Sequence, residues 1–323
     1  MPGFTTHYLF GLNTYKALKN DSLKKTIYDH HAAYSLGLQG PDVFFYYLPS
    51  YVLHGKNIGS LAHAKATGTF LSNLLESRSL FPDKTEADIA YAYIMGFLGH
   101  YLLDCRCHPY VYWRTHYKGD IPGYYGDHMN LETDIDTELL SLFKSKKPSD
   151  FRQESTIMLT RPEVRTIATI LYYVYSTTYP DLKISYIVMR QAIRAMQIGL
   201  HLLHDPHGKK KVVIRKAESR ITGYPVLSPM IASDYLLFFA DPLNVLHREW
   251  HNPWDKEQTS TASFLELLDS AQADYQKLLR QVHHLFHSDK HSDEEKLRQA
   301  YILETLGNNS YHSGMEPEAE QAP

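Results

Sequence analysis

Residues 99–110 read GHYLLDCRCHPY and place His100, Asp104 and His108 at successive four-residue steps inside an apolar run. On an α-helix each such step advances about 40°, so the three side chains share one face. A stripe facing a core calls for Leu, Ile or Phe, because buried imidazole and carboxylate groups need partners. The surrounding residues 89–104, IAYAYIMGFLGHYLLD, are too apolar for a surface helix. The segment therefore reads as a central helix over Glu86–Cys107, ended by Pro109 at or just after His108. Its polar stripe must face something that satisfies it.

A second row follows. Residues 127–136, DHMNLETDID, carry His128, Glu132 and Asp136 at the same spacing on a restarted helix. One His/carboxylate pair four residues apart is usually a surface contact worth a few tenths of a kcal/mol. Two triple rows on two helices can instead converge on metal ions. Imidazole with carboxylate, and no thiolate, suits Zn²⁺ with positions left open for water.

Helical periodicity dominates elsewhere. Thr5–Asn20, with Thr5 or Thr6 as the cap, Leu23–Leu36 and Ser60–Glu76 read as helices. So do residues 162–180, 184–203, 233–243 and 263–286. Residues 37–51, GLQGPDVFFYYLPSY, read as a loop punctuated by Gly and Pro. The best strand candidate is KKKVVIRKA at 209–217. The expectation is one all-α domain over residues 1–290 and a polar, partly disordered tail over 291–323.

Composition narrows the class. The 323 residues are 43% hydrophobic and 21% charged, with formal net charge −3. That leaves ample material for a core and no global attraction to nucleic acid or anionic membranes. The only cysteines, Cys105 and Cys107, are two residues apart on a helix and point in different directions. The first twenty residues lack the basic and apolar regions of a signal peptide, and no apolar run is long enough to span a bilayer. A cytoplasmic protein with reduced thiols is expected.

Five motifs resemble the zinc-dependent phospholipase C family, including the amino-terminal domain of glycosylphosphatidylinositol-specific phospholipase D. They are TTHYLFG at 5–11, HHAAYSLGLQGPDVFFY at 30–46, IGSLAHAKATGTFL at 58–71, GHYLLDCRCHP at 99–109 and HMNLETDID at 128–136. The similarity covers about Phe4 to Asp136 and weakens from Lys147 onward. It implies a multi-helix domain of the phospholipase C and zinc nuclease type, with two or three Zn²⁺ ions between helices. His63, His100 and Asp104 would hold one ion, and His108, His128 and Glu132 a second. Asp104 would bridge to a third completed by His7. Asp42 matches a carboxylate with base or water-orienting duty in relatives. His30 also matches a family position, read as a capping or packing residue, and Asp136 as a partner that orients a ligand. His54 competes with His63, which the resemblance favours. Secreted bacterial relatives place an amino-terminal Trp on the third zinc; this chain departs from them there.

Zn²⁺ lowers the pKa of bound water toward about 7, and ions about 3.5–4 Å apart can clamp a phosphoryl group while a zinc-bound hydroxide attacks. The expected activity is hydrolysis of a phosphodiester, in a phospholipid or a soluble phosphoester. Phe44, Tyr124 and Tyr125 are expected to line the substrate entrance, and with Phe45 they are the aromatics that could stack bases in a nuclease. A single-strand nuclease on the same fold is the rival reading, disfavoured by the absence of a basic stripe. A non-enzymatic metal protein is the other, against which the additional carboxylate of Asp42 counts. Other histidines, at 201, 204, 207, 247, 251 and within 283–291, read as helix-end or solvated groups.

Overall fold

The computed structural model describes residues 3–50, 57–119, 123–235, 237–288 and 292–317. Helices α1 (Phe4–Ala17), α2 (Asp21–Asp29) and α3 (His31–Gly37) lead into a 3-10 segment over Gly40–Tyr46. Then come α4 (Ile58–Ala64), α5 (Thr67–Glu76), α6 (Lys84–Arg114) and α7 (Tyr124–Lys144). The second half adds α8 (Arg161–Thr178), α9 (Tyr186–Leu203), α10 (Lys210–Ile221), α11 (Phe264–Phe286) and α12 (Asp293–Leu306). Strands β1 (Trp250–Asn252) and β2 (Asp255–Ser260) pair antiparallel as a hairpin. The described residues are all-α apart from this ribbon. No helix among the described residues is long and apolar enough to cross a membrane, and both cysteines carry free thiols.

Helix α6 is the axis. Every residue from Ile89 to Tyr101 is buried, because α3, α11 and α8 pack around it. Its crossing with α3 is a near contact of backbones. A Cβ on Gly37 would fall 2.2 Å from the Tyr93 carbonyl oxygen, and one on Gly96 would fall 2.2 Å from that of Tyr34. Any side chain at either position would force the helices apart. That crossing brings the Gly40–Tyr46 segment, and Asp42 with it, against the polar half of α6. Helices α8 and α11 begin with reciprocal capping boxes, Thr160 with Glu163 and Ser263 with Glu266.

Several sequence expectations change. Helix α6 does not stop at Pro109 but runs on to Arg114. A proline lacks the N–H that would serve the carbonyl four residues back, here Cys105. That carbonyl is covered by the carboxy-terminal segment: a Cβ on Gly314 would fall 2.3 Å from Cys105 O. The Leu23–Leu36 helix is two helices meeting at His30, and Ser60–Glu76 is divided at Ala66, whose φ is +56°. The predicted loop 37–51 contains the 3-10 segment.

The strand candidate at 209–217 lies in α10. Lys211 and Glu218, seven residues apart, are the buried positions there, a helical rather than an alternating pattern. The described residues of 233–243 are not helical. The backbone N–H groups of Phe238 and Phe239 donate to the Asp134 carboxylate at 2.6 and 2.8 Å, so a side chain of α7 replaces a helical ladder. The described part of the predicted tail forms α12 and a turn-rich segment in which Tyr311 is fully buried.

Candidate metal centre

Five parts of the chain meet at the polar half of α6. This helix supplies His100, Asp104 and His108, all three fully buried. Helix α7 supplies His128 and Glu132, α1 supplies His7, α4 supplies His63, and the 3-10 segment supplies Asp42. Their ligand-type atoms form three groups, each within 4.8 Å: His7, Asp42 and His100; His63, His100 and Asp104; His108, His128 and Glu132. Glycine is needed at position 40, where φ is +50° and a Cβ would lie 2.2 Å from the His100 ring.

Asp104 is the hub. Its Oδ1 lies 3.2 Å from His7 Nε2, and its Oδ2 lies 3.2 Å from His100 Nε2 and 3.6 Å from His63 Nε2. Asp42 Oδ1 is 3.2 Å from His63 Nε2 and 3.9 Å from His100 Nε2. His128 Nε2 is 2.9 Å from Glu132 Oε1, with His108 Nε2 at 4.0 Å from the same oxygen. Yet the Nε2 atoms of His7, His63, His100 and His108, Asp42 Oδ1 and both Asp104 oxygens make no hydrogen bond despite complete burial. So many orphaned polar atoms in one place would be costly without a cation among them.

The backbone fixes which nitrogen each imidazole offers. His63 Nδ1 donates to Gly59 O at 2.8 Å, His100 Nδ1 to Leu38 O at 3.2 Å, and His108 Nδ1 to Tyr311 O at 2.5 Å. A carbonyl can only accept, so each Nδ1 carries a proton when the ring is neutral, and Nε2 turns a lone pair toward the carboxylates. This is how ligating histidines are oriented around metals. His128 is held at Nδ1 by the Tyr124 hydroxyl at 3.3 Å, and that hydroxyl also meets Thr115 Oγ1 at 2.9 Å. The donor set of imidazole and carboxylate fits zinc.

Charge in the cluster is set by competition between burial and neighbours. Burial pushes His7, His108 and His128 below the ordinary imidazole value, which keeps their lone pairs available. Burial acts on His63 in the same sense, but Asp104 and Asp42 outweigh it and raise it to about 9. The carboxylates around His63 Nε2 call for a positive charge there, which a proton or a metal ion supplies. Burial would raise Asp104, but His100 and His108 hold it well below the usual carboxylate range. Burial pushes Glu132 well above that range. A divalent cation at the His108–His128–Glu132 group would restore the charged carboxylate.

The remaining expected residues have other places. Asp136 points away from the histidines to α1, where it accepts from Thr5 N at 3.0 Å, Thr6 N at 2.7 Å and Thr6 Oγ1 at 2.6 Å. It caps the helix that carries His7, and neither threonine side chain acts as the N-cap. His30 is half-buried at the α2–α3 junction with local backbone bonds and joins none of the three groups. Phe44 is core, fully buried against Tyr175 at 4.9 Å, and does not line an entrance. Tyr124 is buried and occupied with His128, Phe45 is half-buried 5.8 Å from His63, and Tyr125 is exposed. His54 lies outside the described residues.

Sequence reasoning does not find the carboxy-terminal turn. Tyr311 supplies the carbonyl to His108 and packs its ring 4.8 Å from His63. Polar composition conceals it, because GNNSYHSG reads as solvated chain and its burial depends on contacts some two hundred residues away.

A family model described as zinc-dependent phospholipase C matches residues 6–177. No curated protein and no solved structure matches the chain.

Proposed function

The chain belongs to the zinc-dependent phospholipase C family, and on that premise we propose that it is a hydrolase of phosphodiesters that works with two or three zinc ions. The observation that carries the reading is the set of three ligand groups, two of them sharing His100, whose inward atoms are buried and largely without hydrogen bonds. In this reading His63, His100 and Asp104 hold one ion and His108, His128 and Glu132 another. His7 and His100, with Asp104, reach a third. Zinc bound there would polarise the phosphoryl oxygens and lower the pKa of water.

The chain's own residues do the rest. The Gly59, Leu38 and Tyr311 carbonyls hold three imidazoles in one tautomer, so the ligand cage does not reorganise during turnover. Asp42 Oδ1 lies against His63 and at the edge of the cage, and we assign it to orient the attacking water and accept its proton. The apolar wall made by Phe44, Phe97 and Tyr175 keeps bulk water from the other side. Of the four aromatics that the sequence offers for stacking bases, Phe44, Phe45, Tyr124 and Tyr125, the first and third are buried, which disfavours a base-stacking platform and hence the nuclease reading. A phospholipid or a soluble phosphoester is the substrate class.

The test is zinc content per chain on protein purified without chelator, with a chromogenic phosphodiester assay before and after chelation. Two or three zinc equivalents and turnover abolished by chelator are expected; zinc without turnover on lipid, soluble or nucleic-acid diesters would reject the hydrolase. Asp42→Asn is expected to keep its zinc and slow turnover by roughly 10²-fold or more, as for loss of a general base. Loss of zinc in that variant would make Asp42 a ligand instead.

A further inference from the structure

His312 is a ninth chemically competent side chain at this centre, and it reaches it on a segment beyond the matched residues 6–177. After α12 the chain turns back over the polar half of α6 and is fastened at successive residues. Asn308 Oδ1 accepts from Gly68 N at 2.8 Å, Asn309 N donates to Tyr101 Oη at 3.1 Å, and Ser313 O accepts from Asn252 Nδ2 at 2.9 Å. Gly314 N closes the turn onto Ser310 O at 2.9 Å. Between these ties sit Tyr311, whose carbonyl orients His108, and His312.

The His312 ring lies between two ligand groups. Its centroid is 5.9 Å from that of His63, with planes 28° apart, and 6.0 Å from that of His108. It belongs to none of the groups of atoms within metal-sharing distance. Its Nδ1 meets the Tyr112 hydroxyl at 2.7 Å. This contact differs in kind from those of His63, His100 and His108. Their Nδ1 atoms face carbonyls, which only accept, so their Nε2 atoms are lone pairs. His312 faces a phenol, a good O–H donor, while imidazole nitrogen is the better acceptor of the two. Tyr112 therefore donates to Nδ1, and the neutral His312 ring carries its proton on Nε2. The ring is partly buried, and among the described residues its Nε2 forms no hydrogen bond.

We propose that His312 is a substrate-binding residue whose Nε2–H donates to a non-bridging oxygen of the phosphoryl group held over the two metal groups flanking it. The assignment rests on the zinc phosphodiesterase reading for the identity of the ligand. It explains why a polar carboxy-terminal turn is tied down at so many points: each tie removes freedom from a donor that must meet an anion in one place. A neutral donor beside a cation cluster adds direction without adding charge.

Inorganic phosphate is the probe, titrated calorimetrically into the zinc-loaded protein and its His312→Ala and His312→Gln variants, with zinc per chain measured on each. Glutamine places an N–H donor close to the position of Nε2. The expected result is full zinc content in both variants, phosphate affinity about tenfold weaker in His312→Ala, and most of the loss restored in His312→Gln, in line with one hydrogen bond to a charged group. Unchanged phosphate affinity in His312→Ala overturns the proposal, as does loss of a zinc equivalent, which would make His312 a metal ligand. A glutamine variant as weak as alanine overturns the donor role. Phosphate binding is read without turnover, so a wild-type protein that hydrolyses no diester rejects the proposed activity while this titration still decides His312.

Discussion

The polar rows of α6 and α7 share one spacing and end differently. On α6 all three members, His100, Asp104 and His108, enter the ligand groups. On α7 only His128 and Glu132 do so, while Asp136, one helical turn further, caps α1. Their carboxylates differ too: neighbouring imidazoles hold Asp104 well below the usual range, and burial raises Asp136 to about 6 against three hydrogen bonds. Spacing alone tells which side chains share a face. What they do is set by what stands opposite: for Asp104 a ring of imidazoles, for Asp136 the free N–H groups of a helix start.

The comparison is most sharply tested at the ligands. His100→Ala removes a side chain common to two groups, whereas His128→Ala removes one from a single group. Both should lose zinc and activity, by on the order of 10³-fold or more in turnover, since a catalytic ion supplies several kcal/mol of transition-state stabilisation. His100→Ala should lose more zinc equivalents than His128→Ala. Full zinc retention in both would remove the metal centre, and equal losses would remove the sharing.

Asp136→Ala should act on folding first. It deprives two backbone N–H groups of α1 of their acceptor and should cost roughly 1–3 kcal/mol of stability, read by denaturant unfolding. Any zinc lost should be the ion at His7, with the two other groups still filled. Loss of zinc from the His108–His128–Glu132 group instead would show that Asp136 serves the row it sits in.

The smallest effect is expected from Tyr124→Phe. It deletes the hydroxyl between Thr115 and His128 Nδ1, so zinc affinity at that group should fall up to about tenfold, with the fold intact. A loss as large as that of His128→Ala would mean that Tyr124 does more than orient the ring.

Much of the centre is legible in the sequence. Period four in His and carboxylate marks two rows, and apolar context around His100 shows that the first is buried. Helices such as α8 and α11 announce themselves through their apolar periodicity. Two of the errors share one cause, a long-range partner which local pattern does not contain. Pro109 is accommodated under Gly314, and Phe238 and Phe239 bond to Asp134, whereas the Val212–Ile214 run joins a helix whose buried positions are seven residues apart.

By itself the sequence determined the all-helical class, the two rows and the chemical type of the side chains in them, because helical period and side-chain chemistry are local properties. Only the tertiary structure decided which row member joins the ligand groups and which one caps, that Phe44 is core, and that Tyr311 and His312 belong to the centre. Those outcomes depend on groups brought together from distant parts of the chain, where burial removes water and every polar atom must find a partner within a few ångströms.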